Sequence, residues 1–230
     1  MNVYDHSDLI RIAVDCIILG FHEDQLQLLV IKREAEPHKG GWSLMGGQLR
    51  SAESLDAAAA RVLRTLTGLS EVYLEQFMTF GEVDRDERGR IVSVGYYALV
   101  DYERATQQLS PDYSAHWVPI TEIPSLVFDH NDMVDEALTR LQYRATHEPV
   151  VFDLLPERFT LNTLQAAYAS IFSRRIDAGN FRRRLRKMNY LERLPEKDVT
   201  TSRKGSYYYR FNPELFAEAV EEGQVFLLKP

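Results

Sequence analysis

Residues 47–69 read GQLRSAESLDAAAARVLRTLTGL, and their spacing decides how the first part of the chain folds. Gly47 is followed after five residues by Glu53 and after seven more by Arg61, with Gly68 and Leu69 closing the segment. Alanine and leucine fill the interior and Ser51 is suited to cap the start, so a helix is expected over 52–67. At about 100° per residue, Val62, Thr65 and Leu66 share an arc of roughly 100° on that helix. Such a face offers two apolar side chains and one neutral hydroxyl. Hard divalent cations prefer carboxylate oxygens, and that face supplies none.

The flanks are a strand, a turn, a strand and a glycine-rich loop. Ile10–Leu19 is mostly β-branched and apolar, His22–Gln25 has turn composition, and Leu26–Ile31 continues as a second buried strand. The loop HKGGWSLMGG over 38–47 follows, its glycines permitting close backbone approach to a ligand or to the helix start. Further on, Phe77–Val83 and Ile91–Val100 are expected as strands joined by the charged hairpin DRDERGR over 84–90.

This arrangement resembles the Nudix family. Its box is G-x5-E-x7-R-E-U-x-E-E-x-G-U, with U a bulky apolar residue. The frame matches at Gly47, Glu53, Arg61, Leu63, Gly68 and Leu69, whereas Val62, Thr65 and Leu66 stand where the family has glutamates. The preceding loop is similar to the family's K-G-x-W-x-L-P-G-G, with Met45 in place of the usual proline. The resemblance implies a mixed sheet sandwiched by helices over about the first 145 residues. It also implies a Mg²⁺- or Mn²⁺-dependent hydrolase site whose metal-binding glutamates are missing here. The expectation is therefore a domain that binds and does not hydrolyse: not an enzyme, with no catalytic residues, no metal and no cofactor.

Composition and charge bound the remainder. The 230 residues are 45% hydrophobic, enough for one large domain or two modest ones. No apolar run approaches the roughly 18 residues of a membrane span, and Asp15 interrupts the best early one. Met1–Ser7 does not read as a signal peptide. The single Cys16 cannot form an intrachain disulfide and suits a buried thiol in a reducing, cytoplasmic setting. Net charge divides the chain: residues 1–150 carry 13 Lys+Arg against 24 Asp+Glu, residues 151–230 carry 14 against 10. Different partners for the two halves are implied. The boundary is expected near Glu148 and Pro149, giving domains 1–148 and 149–230, with a helix over Asn131–Ala145 before it.

In the second half, a helix capped by Thr160 is expected through Phe172, with Leu161, Leu164, Ala167, Tyr168 and Ile171 on one face. A short turn leads to Asp177, the expected cap of a second helix, Ala178–Met188. That helix sets Phe181, Leu185 and Met188 on one side and arginines on the other. Tyr190–Leu194 and Ser206–Phe211 then read as strands around the polar loop Pro195–Gly205. Two helices, the second basic, followed by a wing make a winged helix-turn-helix. Asn180, Arg182, Arg183, Arg184 and Arg186 are candidates for base edges or phosphates, and Lys187, Arg203, Lys204 and Ser206 for the DNA backbone. A solvated basic face that binds nothing is the plain alternative.

Together the halves resemble the Nudix-related transcriptional regulators, the NrtR family and its sugar-responsive AraR-like relatives. The segment LPERFTLNTLQAAYASIFSRRIDAGNFRRRLRKM carries the likeness in the second half and RDERGRIVSVGYYALV in the first. The resemblance implies an α/β sandwich followed by a winged helix, a homodimer on a palindromic double-stranded DNA operator, and a small-molecule effector. It implies a repressor, with ADP-ribose or another nucleotide as effector in one branch and a pentose such as arabinose in another. Candidate effector contacts are Lys32, Arg33, Trp42, Gln48, Glu53, Glu82, Asp84, Arg85 and Tyr96. The loss of metal glutamates in an acidic domain argues for a neutral sugar or a metal-free nucleotide sugar. Two other readings remain open: an active hydrolase of ADP-ribose-type substrates with an accessory winged helix, and a protein–protein adaptor.

Overall fold

The computed structural model describes residues 10–70, 72–111, 114–200 and 205–228. It divides into two compact units. One holds the chain to Leu19 with Gln27–Ala98 and Arg104–Ala137; the other holds Gly20–Leu26, Leu99–Glu103 and the chain from Leu138 onward.

The first unit is organised by a seven-stranded sheet. Its strands are β1 (Arg11–His22), β2 (Gln25–Lys32), β3 (Trp42–Ser43), β4 (Met45–Gln48), β5 (Glu75–Phe80), β6 (Ile91–Leu99) and β7 (Ala115–Pro119). The path runs β3-β2-β1-β6-β5, with β4 on β1 and β7 on β2. Val14 to Leu19 are buried on both faces of β1, as a central strand covered on either side requires. Glu23 and Asp24 both take positive φ (47° and 60°), the geometry of a tight two-residue hairpin between β1 and β2. The expected glycine-rich loop contains β3 and β4, whose pairing on β2 and β1 brings Gly46 and Gly47 opposite Asp15 and Val14.

Helix α1 (Leu55–Thr67) covers this sheet. It begins three residues later than expected. Ser54, not Ser51, caps it, accepting from the Ala57 amide at 3.2 Å. The delay has a cause: Glu53 accepts from the Arg50 amide at 2.8 Å and is gripped by Arg61, which holds residues 50–53 in a turn. Gly68 ends the helix at φ 85°, a left-handed cap that a side chain would strain. Beneath α1, Cys16 is fully buried and its thiol faces the Ala59 carbonyl at 3.7 Å. Burial, reinforced by the Asp15 charge, pushes that thiol far above its ordinary range. β5 ends at Phe80 instead of Val83, because Arg90 draws the Gly81 and Glu82 carbonyls into hydrogen bonds across the hairpin.

Helix α2 (Tyr102–Gln108) leaves the sheet, and α3 (His130–His147) crosses the boundary between the units. In the second unit β8 (Phe159–Thr160), α4 (Leu161–Ile171), α5 (Ala178–Leu185), β9 (Leu191–Asp198), β10 (Ser206–Phe211) and α6 (Pro213–Glu221) follow in order. The strands form a sheet β8-β10-β9. Thr160 caps α4 through the Thr163 amide (3.1 Å), and Asp177 caps α5 through the Asn180 amide (2.7 Å), as their side-chain chemistry predicts. Leu164, Ala167, Tyr168 and Ile171 of α4 and Phe181 and Leu185 of α5 are buried, and the Tyr168 and Phe181 rings meet at 5.4 Å between centroids. An aromatic cluster of Tyr190, Phe211, Phe216 and Phe226 closes it, and α6 was not anticipated from sequence.

α5 stops at Leu185, not Met188, because Lys187 and Met188 donate three residues back, to Arg184 and Leu185, in a tightened final turn. β9 runs through Pro195 to Asp198, where a loop was expected. β9 is an edge strand, and Pro195 falls in a register shift between the Arg193–Tyr209 and Lys197–Tyr207 pairs, where no ladder donor is required. Among the described residues, no helix is long and apolar enough to cross a membrane.

Candidate effector cleft and nucleic-acid interface

In the first unit, β1, β2, β4 and the hairpin before β6 converge on a narrow cleft of about 70 Å³. Its floor is the backbone of Gly46 and Gly47. A side chain at Gly46 would strike the Asp15 carboxylate, and one at Gly47 would strike Val62 of α1, so both positions exclude a Cβ. The wall is a charged network. Arg85, only 9% exposed, forms a two-pronged ion pair with Asp129 at 2.7 and 2.6 Å. Arg88 grips Asp86 through Nε and Nη2, which holds that carboxyl below its usual range. Asp15 accepts from Ser93 at 2.5 Å and faces His130 Nε2 at 3.5 Å.

His130 opens α3, and its tautomer follows from its neighbours. The Leu44 amide donates to Nδ1 at 3.1 Å, so the ring proton sits on Nε2, toward Asp15. Burial lowers its affinity for a second proton, and the nearby Asp15 and Asp129 charges only partly oppose this. Arg33 and Arg88 both lie over the Phe128 ring, each 5.1 Å from its centroid.

Of the effector contacts expected from sequence, Arg33, Gln48 and Arg85 line this cleft. Lys32 and Trp42 pair across β2 and β3, the ammonium 3.7 Å over the indole, outside the cleft lining. Glu53 is bound by Arg61, whose guanidinium holds its carboxyl down to about 2. Glu82 and Asp84 are exposed on the hairpin. Tyr96 is buried and donates to Asp56 at 2.6 Å; burial first, then Asp56, raises its phenol well above the ordinary range. Asp15, Asp86, Arg88, Phe128 and His130 were missed. Asp15 carried a signal, since a lone acid in an apolar strand must find partners, but those partners lie far along the chain.

In the second unit, Asn180, Arg182, Arg183, Arg184, Arg186 and Lys187 are all exposed around α5 while Phe181 and Leu185 face inward. Arg182 donates to Asn162 at 2.6 Å and Arg183 to Asn180 at 2.7 Å, which orients both guanidiniums. Among the described residues, no carboxylate pairs with an arginine of this helix. Arg182, Arg186 and Ser206 border one groove of about 370 Å³ between the helix pair and the wing. Arg203 and Lys204 lie outside the described residues.

A Nudix sheet and helix followed by a winged helix with a cationic outer face defines a transcriptional regulator that reads a small molecule with one domain and DNA with the other. Residues 9–137 match the NUDIX domain and residues 151–211 match the NrtR DNA-binding winged helix domain. The chain belongs to the NrtR family of Nudix-related regulators. It is 32% identical over 200 residues to the ADPR responsive transcriptional repressor NtrR of Acinetobacter baylyi, covering 85% of this chain and 80% of that protein. Shewanella oneidensis NrtR in complex with a 27mer DNA superposes with a TM-score of 0.77 at 30% identity, over 90% of this chain and 95% of that one. The NUDIX domain of the same protein, in complex with ADP ribose, matches at 32% identity and a TM-score of 0.53, over 60% of this chain and 94% of that one. Over 126 residues the chain is also 29% identical to an ADP-ribose pyrophosphatase of Methanocaldococcus jannaschii, 54% of this chain and 71% of that protein.

Proposed function

We propose that this protein is a cytoplasmic, homodimeric repressor that binds an operator through residues 149–230 and is controlled by ADP-ribose bound to residues 1–148. One observation carries the reading: an α5 that buries Phe181 and Leu185 while presenting Arg182, Arg183 and Arg184 to solvent, with no acidic partner among the described residues. An exposed cationic helix on a winged helix fits a major groove, and arginine forks fit guanine edges and phosphates. For the effector, the likeness to an ADPR responsive repressor favours ADP-ribose over a pentose, with Arg33, Gln48 and Arg85 as contacts in the cleft. Lys32, Trp42, Glu82 and Asp84 do not line the cleft, and Glu53 and Tyr96 are already engaged by Arg61 and Asp56.

The same domain is inferred to lack hydrolase activity. The metal required by Nudix hydrolysis does not fit the donors present. Val62 is buried against Gly47, Thr65 offers one exposed hydroxyl, Leu66 offers none, and Glu53 is committed to Arg61. The likeness to a pyrophosphatase supports the opposite reading, which turnover of ADP-ribose with Mg²⁺ would establish.

Fluorescence anisotropy with DNA from upstream of the gene and its neighbours tests the whole proposal. Replacing Arg182, Arg183 and Arg184 with alanine is expected to weaken binding at least a hundredfold, taking roughly 1–3 kcal/mol per lost arginine contact. ADP-ribose is expected to release the parent protein. Parent protein that ignores such DNA at low salt in the presence of competitor would defeat the reading.

A further inference from the structure

The cations of α5 are not equivalent, and the turn of the helix sorts them. At about 100° per residue, Arg183 stands opposite the buried pair Phe181 and Leu185, while Arg182 and Arg184 fall about 100° to either side of it. Arg182 is tied back to Asn162 of α4 at 2.6 Å. Arg184 borders a separate groove of about 410 Å³ with Phe216 and Ala219 of α6. Of the three, Arg183 leaves the helix on the face directed away from the core.

Two neighbours prepare it. A helical side chain leans over the turn before its own, which for Arg183 is the space above Gly179. Gly179 is exposed and helical, and beyond the adjoining residues a Cβ there would meet only the Asp177 carboxylate, at an unstrained 3.5 Å. The fold has no steric need of a glycine at that point, and its bareness leaves Arg183 uncovered. Asn180 then fixes the guanidinium: its Oδ1 accepts from Arg183 Nη2 at 2.7 Å, and its own amide is held by Asp177 at 2.7 Å. With Oδ1 so engaged, the pair has N–H donors to offer, from Asn180 Nδ2 and the other guanidinium nitrogens.

We propose that Asn180 and Arg183 act as one base-reading unit that selects guanine, with Arg182, Arg184 and Arg186 left to phosphates. Donors need an edge of acceptors. Guanine sets two of them, O6 and N7, side by side in the major groove, whereas adenine pairs its N7 with a donor and cytosine presents a donor. A fork fixed before contact also loses less freedom on binding than a swinging surface arginine. The unit rests on the reading of residues 149–230 as the DNA-binding half.

Selection from a random double-stranded DNA library by the full chain, followed by anisotropy on the enriched duplexes, tests it. The parent is expected to enrich a guanine in each half-site, preferred about tenfold or more over other bases. Asn180→Ala and Arg183→Ala are each expected to lose that preference, at the same base pair. Neither exchange removes the cap of the helix, because Asp177 holds the Asn180 backbone amide, which alanine retains. Arg184→Ala is expected to keep the preference and weaken all duplexes alike, with a salt slope smaller by about 1. Enriched sequences without such a guanine, a preference that survives in Arg183→Ala, or two variants that relax different base pairs overturn the unit and leave the operator reading intact. A parent that enriches no sequence rejects both.

Discussion

His130 couples the cleft to the stability of its domain through a single proton. Its Nδ1 accepts from the Leu44 amide and its other face meets Asp15, so the neutral ring is the form the fold uses. Burial lowers its pKa from the ordinary 6.5, whereas the unfolded chain takes up the proton near 6.5. The sign follows: the contribution is complete above about pH 6.5 and is lost as pH falls toward the folded-state value. Urea denaturation at pH 7.5 and 5.5 is expected to show lower stability at the acid end. His130→Asn keeps an acceptor for Leu44 but no titration, and its pH slope is expected to be shallower. Equal slopes for the two proteins would exclude His130 as the source. Glu53 titrates elsewhere, since its pair with Arg61 persists down to about pH 2.

Caps and packing, more than propensity, set the helices that matter. Asp177 satisfies the Asn180 amide at the start of α5, and its removal in Asp177→Ala is expected to cost about 1 kcal/mol. The same change is expected to weaken DNA binding, because a frayed first turn releases Asn180 and the guanidinium of Arg183 that it orients. Chemical denaturation and anisotropy on one preparation check both, and unchanged values in each would dismiss the cap. These caps could be read from sequence because their partners are three residues away. The start of α1 could not, because the Glu53–Arg61 pair that delays it reaches across the actual cap, Ser54, from eight residues along the helix. In sequence β9 ends before Pro195, because proline signals a break except where the strand is an edge with a bulge. The same distinction explains the cleft. Arg33, Gln48 and Arg85 were found by chemistry, while Asp15, Phe128 and His130 became visible only when β1 and the start of α3 were brought together.

Taken whole, the chain separates an acidic sensing half from a cationic reading half, and any influence of one ligand on the other must be mutual. If ADP-ribose lowers operator affinity by some factor, operator DNA lowers ADP-ribose affinity by the same factor. A buried atom offers a way to watch the sensing half directly. Cys16 is the chain's one cysteine and lies under α1 with its thiol against Ala59. In the folded protein it is shielded from alkylating reagents, so each labelling event counts an opening of the sheet beneath that helix. Labelling under native conditions, followed by mass, is expected to slow when ADP-ribose is added, by the factor with which the ligand suppresses opening. Labelling as fast as that of the denatured chain would contradict the burial. A residue without a role in recognition thereby becomes an endogenous stopwatch for occupancy of the effector domain.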